Sequence, residues 1–127
     1  MAAFVKFEEI DAWKNGRTLV NRIYRLTNER RFVKDFGLKD QIQRAAVSIC
    51  SNIAEGYARR GNRELIKFLW IARGSAAEVC SQLYHVKDLG YADSASCKEL
   101  YDLATLISAE LFALIKALSR KLEHTKL

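Results

Sequence analysis

Proline is absent from all 127 residues of this chain, and only six glycines occur. The two residue types that interrupt helices are nearly missing, so long helices meet little opposition anywhere along the sequence. Apolar residues at steps of three and four then place those helices. The first runs from about Asp11 to Asn28, with Trp13, Leu19, Val20, Ile23 and Leu26 near helical spacing and Lys14, Arg17, Arg22 and Arg25 at other positions. The stretch NERRFVKDFG breaks this pattern at Asn28, Asp35 and Gly37, and joins it to a second helix. That helix starts near Leu38, repeats Ile42, Ala45, Ala46, Ile49, Ile53 and Tyr57, and ends around Arg59 or Arg60.

Gly61 and Asn62 signal the next turn, with Asn62 placed to cap a third helix through its side-chain oxygen. The third helix covers about Arg63 to Leu89 with Leu65, Phe68, Leu69, Ala72, Ala76, Val79, Leu83 and Val86 as its apolar stripe, and Gly90 sits where a C-terminal cap is expected. After the polar loop YADSAS, Ser96 and Glu99 have capping-box spacing and open a fourth helix. It extends to about Leu122 and turns Leu100, Leu103, Ile107, Leu111, Leu114, Ile115 and Leu118 toward the core. Four helices with short links predict an all-α, antiparallel up-down-up-down four-helix bundle, one domain over residues 1–127. Half of the residues are hydrophobic, which is too apolar for a disordered chain.

No apolar run approaches the roughly 20 residues of a membrane span, and MAAFVKFEEIDAW has no signal-peptide pattern, so a cytoplasmic location is expected. Cys50, Cys80 and Cys97 are odd in number and widely spaced, and read as free thiols acting as small hydrophobes.

The residues that chemistry needs do not assemble in the sequence. A di-iron site in a helical bundle requires Glu-x-x-His on two helices, and His85 has Gln82 three residues before it, while His124 lies near the end. Cys80 and His85 are five apart, on different faces of one helix, so they make no nucleophile–base pair there. GNRE at 61–64 lacks phosphate-loop spacing, and ARGS at 72–75 falls within a helix. The expectation is a protein with no catalytic residues, no metal and no cofactor, whose work is to bind a partner.

Two polar stripes run inside the helices. At about 100° per residue, Arg44, Ser48, Asn52 and Glu55 fall within about 80° of one another, and Ser75, Glu78 and Gln82 share one face of the third helix. If the stripes meet, Arg44 is placed to pair with Glu78 or Glu55, and a satisfied polar layer of this kind fixes helix register. A ligand contact made by the same side chains, or a solvated face, is the alternative.

Net charge is +6 and unevenly spread: residues 12–73 hold 14 Lys or Arg against 5 Asp or Glu. An excess of this kind suits a polyanion, because neutralising phosphates releases counterions, and it equally suits a solvated basic face. Candidate contacts are Arg59, Arg60, Arg63 and Lys67 at the corner between helices two and three, with Arg17, Arg22, Arg25, Arg30 and Arg31. Tyr57 and Trp70 lie near that corner and are able to stack bases, although core or subunit contact is the commoner use of such residues. Trp13, Phe68 and Trp70 exceed what a four-helix core needs and point to self-association.

Residues 44–56 read RAAVSICSNIAEG, and they stand with FEEIDAW at 7–13, FGLKDQ at 36–41 and KFLWIARGSAAEVCSQ at 67–82. On these stretches the chain resembles the bacterial 23S ribosomal RNA intervening-sequence proteins, a family that includes the accessory variability proteins of diversity-generating retroelements. The resemblance implies a left-handed four-helix bundle assembling as a ring, typically a homopentamer. In the retroelement members the basic ring works with a reverse transcriptase and with nucleic acid. Gln43 stands where a second Arg is frequent in the family, and Cys50 where Pro is frequent. Two functions follow as expectations: a basic homo-oligomer that binds RNA or DNA, or a protein-interaction scaffold such as a reverse-transcriptase accessory subunit.

Overall fold

The computed structural model describes residues 4–125. Four α-helices account for most of them: α1 Asp11–Thr27, α2 Phe36–Ala58, α3 Asn62–Asp88 and α4 Ser94–Thr125. A single 3-10 turn, Phe7–Glu9, precedes α1, and no strand occurs among the described residues. The helices form a four-helix bundle in which α1 packs on α2 and α4, and α3 packs on α2 and α4. Cross-helix contacts fix their senses. Ser75 meets Ser48 while Phe68 lies against Gly56; Trp70 meets Phe112 while Tyr84 meets Tyr101; Asn15 bonds Glu110 while Arg22 bonds Glu99. In each pair residue numbers rise on one helix as they fall on the other.

The core follows the apolar spacing. Leu19, Ile23, Ile42, Ile49, Ile53, Leu69, Val79, Ile107 and Leu111 are fully buried, one or more from every helix. At Gly56 α2 comes close against α3: an added Cβ there would stand 2.6 Å from Phe68 Cβ. A glycine there lets the two backbones come together above Leu65.

The helix starts differ from those the sequence predicts. Asp35 accepts the Leu38 N–H at 3.1 Å, so α2 begins at Phe36. Asn62 is not a cap: Gly61 holds the extended cap conformation, and Asn62 is the first residue of α3. Ser96 is not a cap either, because Asp93 accepts its N–H at 2.7 Å and α4 starts at Ser94. Glu99, freed from a capping box, bonds Arg22 of α1 at 2.8 Å. Gly90 does end α3 as expected, at φ +74°.

The α1–α2 connection contributes to the core, which its polar letters conceal. Phe32 is completely buried and stacks on Tyr91 of the α3–α4 connection, ring centroids 4.9 Å apart. The Tyr91 hydroxyl donates to Asp35 Oδ2 at 2.8 Å. The bonds to Leu38 N–H and to Tyr91 hold the Asp35 carboxyl below the usual range, and the carboxylate in turn pushes the Tyr91 hydroxyl up. Among the described residues no helix is long and apolar enough to cross a membrane.

Candidate functional site

The polar layer between α2 and α3 exists in a smaller form than the stripes suggest. Ser75, buried on α3, donates to Ser48 Oγ at 2.9 Å, and Asn52 donates to the Ser48 carbonyl and hydroxyl at 2.8 and 2.9 Å. Gln82 is buried too, but its Oε1 has no hydrogen-bond partner among the described residues. Arg44 takes no part. Its side chain is 80% exposed and its Nε bonds both oxygens of Asp40, one turn back on the same helix. The expected pairing with Glu78 or Glu55 is therefore corrected: Arg44 points outward, and the i, i+4 partner is met without bridging the helices. Glu55 binds Arg59 instead, and Glu78 is exposed with no ion pair among the described residues.

Gln43 is a tie between helices. Its Nε2 donates to the hydroxyl of buried Thr27 at 2.9 Å, and that hydroxyl donates to the Tyr24 carbonyl. Cys50 packs against Gly16, and burial pushes its thiol up to about 11. All three cysteines are free, and no group of three or more metal-ligating side chains forms among the described residues.

The nine basic candidates do not make one surface. Arg25, Arg30 and Arg31 sit at the end of the bundle that carries the α1–α2 connection. Arg59, Arg60, Arg63 and Lys67 sit at the opposite end, about 35 Å away along the 23 residues of α2. Arg17 and Arg22 lie between, in the body of α1. Three of the nine face carboxylates. Arg22 pairs with Glu99; Arg31 is close enough to Asp93 to help lower its carboxyl, after the larger effect of bonds from Ser96; Arg59 lies 2.9 Å from Glu55 and 3.6 Å from Glu64. Arg59 also covers the Phe68 ring at 5.2 Å, so it is a brace for the corner rather than an open cation.

Arg60, Arg63 and Lys67 are exposed, and among the described residues none has an ion pair. Arg60 has φ +63°, the only non-glycine residue in the left-handed region among the described residues. The next residue, Gly61, offers α3 no side-chain cap, so the first amides of a 27-residue helix open beside these cations.

Of the two aromatic candidates, Tyr57 is half-buried and its hydroxyl donates to the Phe4 carbonyl at 2.6 Å. Trp70 remains 47% exposed. Around it are three residues that sequence reasoning passed over. The Arg73 guanidinium lies 5.6 Å from the Trp70 ring and 4.6 Å from that of Phe112, and Lys116 approaches Phe112 at 5.1 Å. The spacing of Trp70 and Arg73 was a local signal; Phe112 and Lys116 come from α4 and left none. Trp13 is half-buried against Phe7, and Phe68 lies under Arg59, so neither is a free apolar surface.

A family model described as 23S rRNA-intervening sequence protein matches residues 8–113. Among solved structures, the chain is similar to a protein of unknown function from the S23 ribosomal protein family of Bacteroides thetaiotaomicron, at 26% identity and a TM-score of 0.75, over 83% of this chain and 98% of that one. No curated protein matches the chain.

Proposed function

The chain belongs to the 23S rRNA-intervening sequence protein family, and on that premise we propose that it is a non-enzymatic nucleic-acid-binding bundle whose contact surface is the α2–α3 corner. The observation that carries this reading is the set of Arg60, Arg63 and Lys67, three exposed cations at one corner without carboxylate partners among the described residues. Arg59, braced by two glutamates, shapes that corner and holds it. The uncapped start of α3 adds amides and the positive end of a helix dipole where a phosphate oxygen would approach.

Arg60 gives independent support. A left-handed conformation costs a non-glycine residue on the order of 1 kcal/mol, and glycine is the usual occupant at the end of a helix. An arginine in that conformation, exposed and without an ion pair among the described residues, supports a role for its side chain. Replacing it tests this directly: Arg60→Gly should fold at least as stably as the parent while binding nucleic acid more weakly.

Binding of this type is electrostatic and weakly sequence-selective. For duplex DNA the slope of log affinity against log salt is about 0.9 per phosphate neutralised, so Arg60→Ala, Arg63→Ala and Lys67→Ala together should flatten it by up to about 2.7. Arg25→Ala with Arg30→Ala, at the far end, should leave more of the slope intact. A gel-shift titration with no retention of RNA or DNA at low salt overturns the reading.

Self-association accompanies this reading. Phe36, Tyr84, Leu89 and Leu106 are each about half or more exposed, an apolar excess that a second copy of the chain would cover. Light scattering reads it, and a strict monomer at micromolar concentration rejects it. A reverse transcriptase as partner rests on the family resemblance and is tested by co-purification insensitive to nuclease.

A further inference from the structure

The basic corner leads into an aromatic platform along one stripe of α3. At 100° per residue, Arg63, Lys67, Trp70 and Gly74 lie within about 60° of one another, and all four are exposed. The stripe holds no acid: Glu64, off its edge, is engaged by Arg59, and Glu78 comes one turn beyond Gly74. From α4, Lys116 reaches the same neighbourhood through its contact with Phe112, whose ring stands 6.0 Å from that of Trp70.

Trp70 is held rather than loose. Phe112 packs edge-on at 61°, and Arg73 lies against both rings. Arg73 is itself fixed, its Nε donating to Ser108 Oγ at 3.0 Å. The indole is thus packed from the α4 side while nearly half of its surface stays open among cations. Inside a duplex the faces of a base are covered by its stacked neighbours, so away from duplex ends only an unpaired strand offers a flat face to such a ring, whereas phosphates are offered by single strands and duplexes alike.

We propose that Trp70 is a base-stacking platform and that the α3 stripe takes single-stranded nucleic acid, with Arg63, Lys67 and Lys116 on its phosphates. The proposal rests on the basic-corner reading and sharpens it, from polyanion to unpaired strand.

The test uses the whole chain carrying Trp13→Phe, which leaves Trp70 as the only tryptophan. Trp70 emission is followed during titration with a single-stranded oligonucleotide and with a duplex of equal length. Saturable quenching by the single strand and little by the duplex is expected. In gel shifts with the parent chain, Trp70→Ala should bind the single strand about 5- to 140-fold more weakly, the range for loss of one stacked base, with duplex affinity nearly unchanged. Trp70→Phe should recover most of the loss. The fluorescence titration needs no change at position 70, so it stands even where Trp70→Ala folds poorly. If Trp70→Ala matches the parent on both ligands, or single-strand binding leaves Trp70 emission unchanged, the stacking proposal is wrong and the basic corner survives. If the parent binds neither ligand at low salt, both readings fall together.

Discussion

The same substitution, glycine to alanine, should have opposite effects at two positions of this bundle. Alanine is a better helix former than glycine by up to about 1 kcal/mol, and Gly56 and Gly74 both lie within helices. At Gly74 an added Cβ meets nothing within 4 Å, so Gly74→Ala should gain about 0.5–1 kcal/mol. At Gly56 it would stand 2.6 Å from Phe68 Cβ and 3.2 Å from Leu65 Cδ1, where ordinary contact begins at 3.4 Å. The atom at 2.6 Å is a Cβ, which a rotamer change does not move, so α2 and α3 themselves must part. Overpacking of this kind costs about 1–3 kcal/mol, which outweighs the propensity gain. The expected net loss for Gly56→Ala is about 1–2 kcal/mol, a fall of about 3–10 °C in Tm at this chain length. Thermal and urea unfolding followed by circular dichroism reads both variants, at one protein concentration so that association does not shift the midpoints. A Gly56→Ala protein as stable as the parent would refute the close approach of α2 and α3, and a destabilised Gly74→Ala would refute the openness of that face.

Four further outcomes are expected. Phe32→Ala removes a fully buried ring and should cost about 3–5 kcal/mol, despite its place in a connection; a loss below about 1 kcal/mol in urea unfolding contradicts its role in the core. Arg44→Met should change stability by less than about 0.5 kcal/mol, since the exposed pair with Asp40 is all it breaks, and a collapse of the fold would restore the buried network. Gln82→Met, which removes a buried oxygen without a partner, should be neutral or stabilising by about 1 kcal/mol in the same assay; a marked loss means that the amide is engaged. Because the Asp35 carboxyl lies below its ordinary value of 3.8, its contribution is present above about pH 4 and disappears as pH falls through the lowered value. Asp35→Asn, which still accepts the Leu38 N–H, should therefore lose most against the parent at pH 7, with the gap closing in acid; a gap independent of pH argues against the carboxylate.

What could be read in the sequence was whatever depends on periodicity. With no proline to interrupt them, the apolar steps place each helix start within about two residues, and Gly90 marks the end of α3 because a left-handed turn asks for glycine. Caps were less legible. Asn62 and Ser96 have suitable side chains, but the position that leaves the helix is decided by backbone already committed at Gly61 and Asp93. The Arg44 pairing failed for a different reason. A helical wheel groups residues on a face without fixing how that face is rotated toward its neighbour, and Asp40, four residues before Arg44, was the local signal overlooked. The basic candidates likewise looked like one cluster because chain order hides direction: antiparallel hairpins carry Arg30 and Arg60 to opposite ends. Phe32 offered least warning, since the ring it stacks on is Tyr91, a residue 59 positions later.

The contact of Phe32 and Asp35 with Tyr91 has a mechanical consequence. The α1–α2 and α3–α4 hairpins could in principle slide past one another along the long axis, as packed helices do when they ratchet by one turn of about 5.4 Å. Sliding by one turn would break both the stacked ring pair and the 2.8 Å hydrogen bond that join the two hairpin tips. The bundle is therefore braced against shear at the end opposite the basic corner.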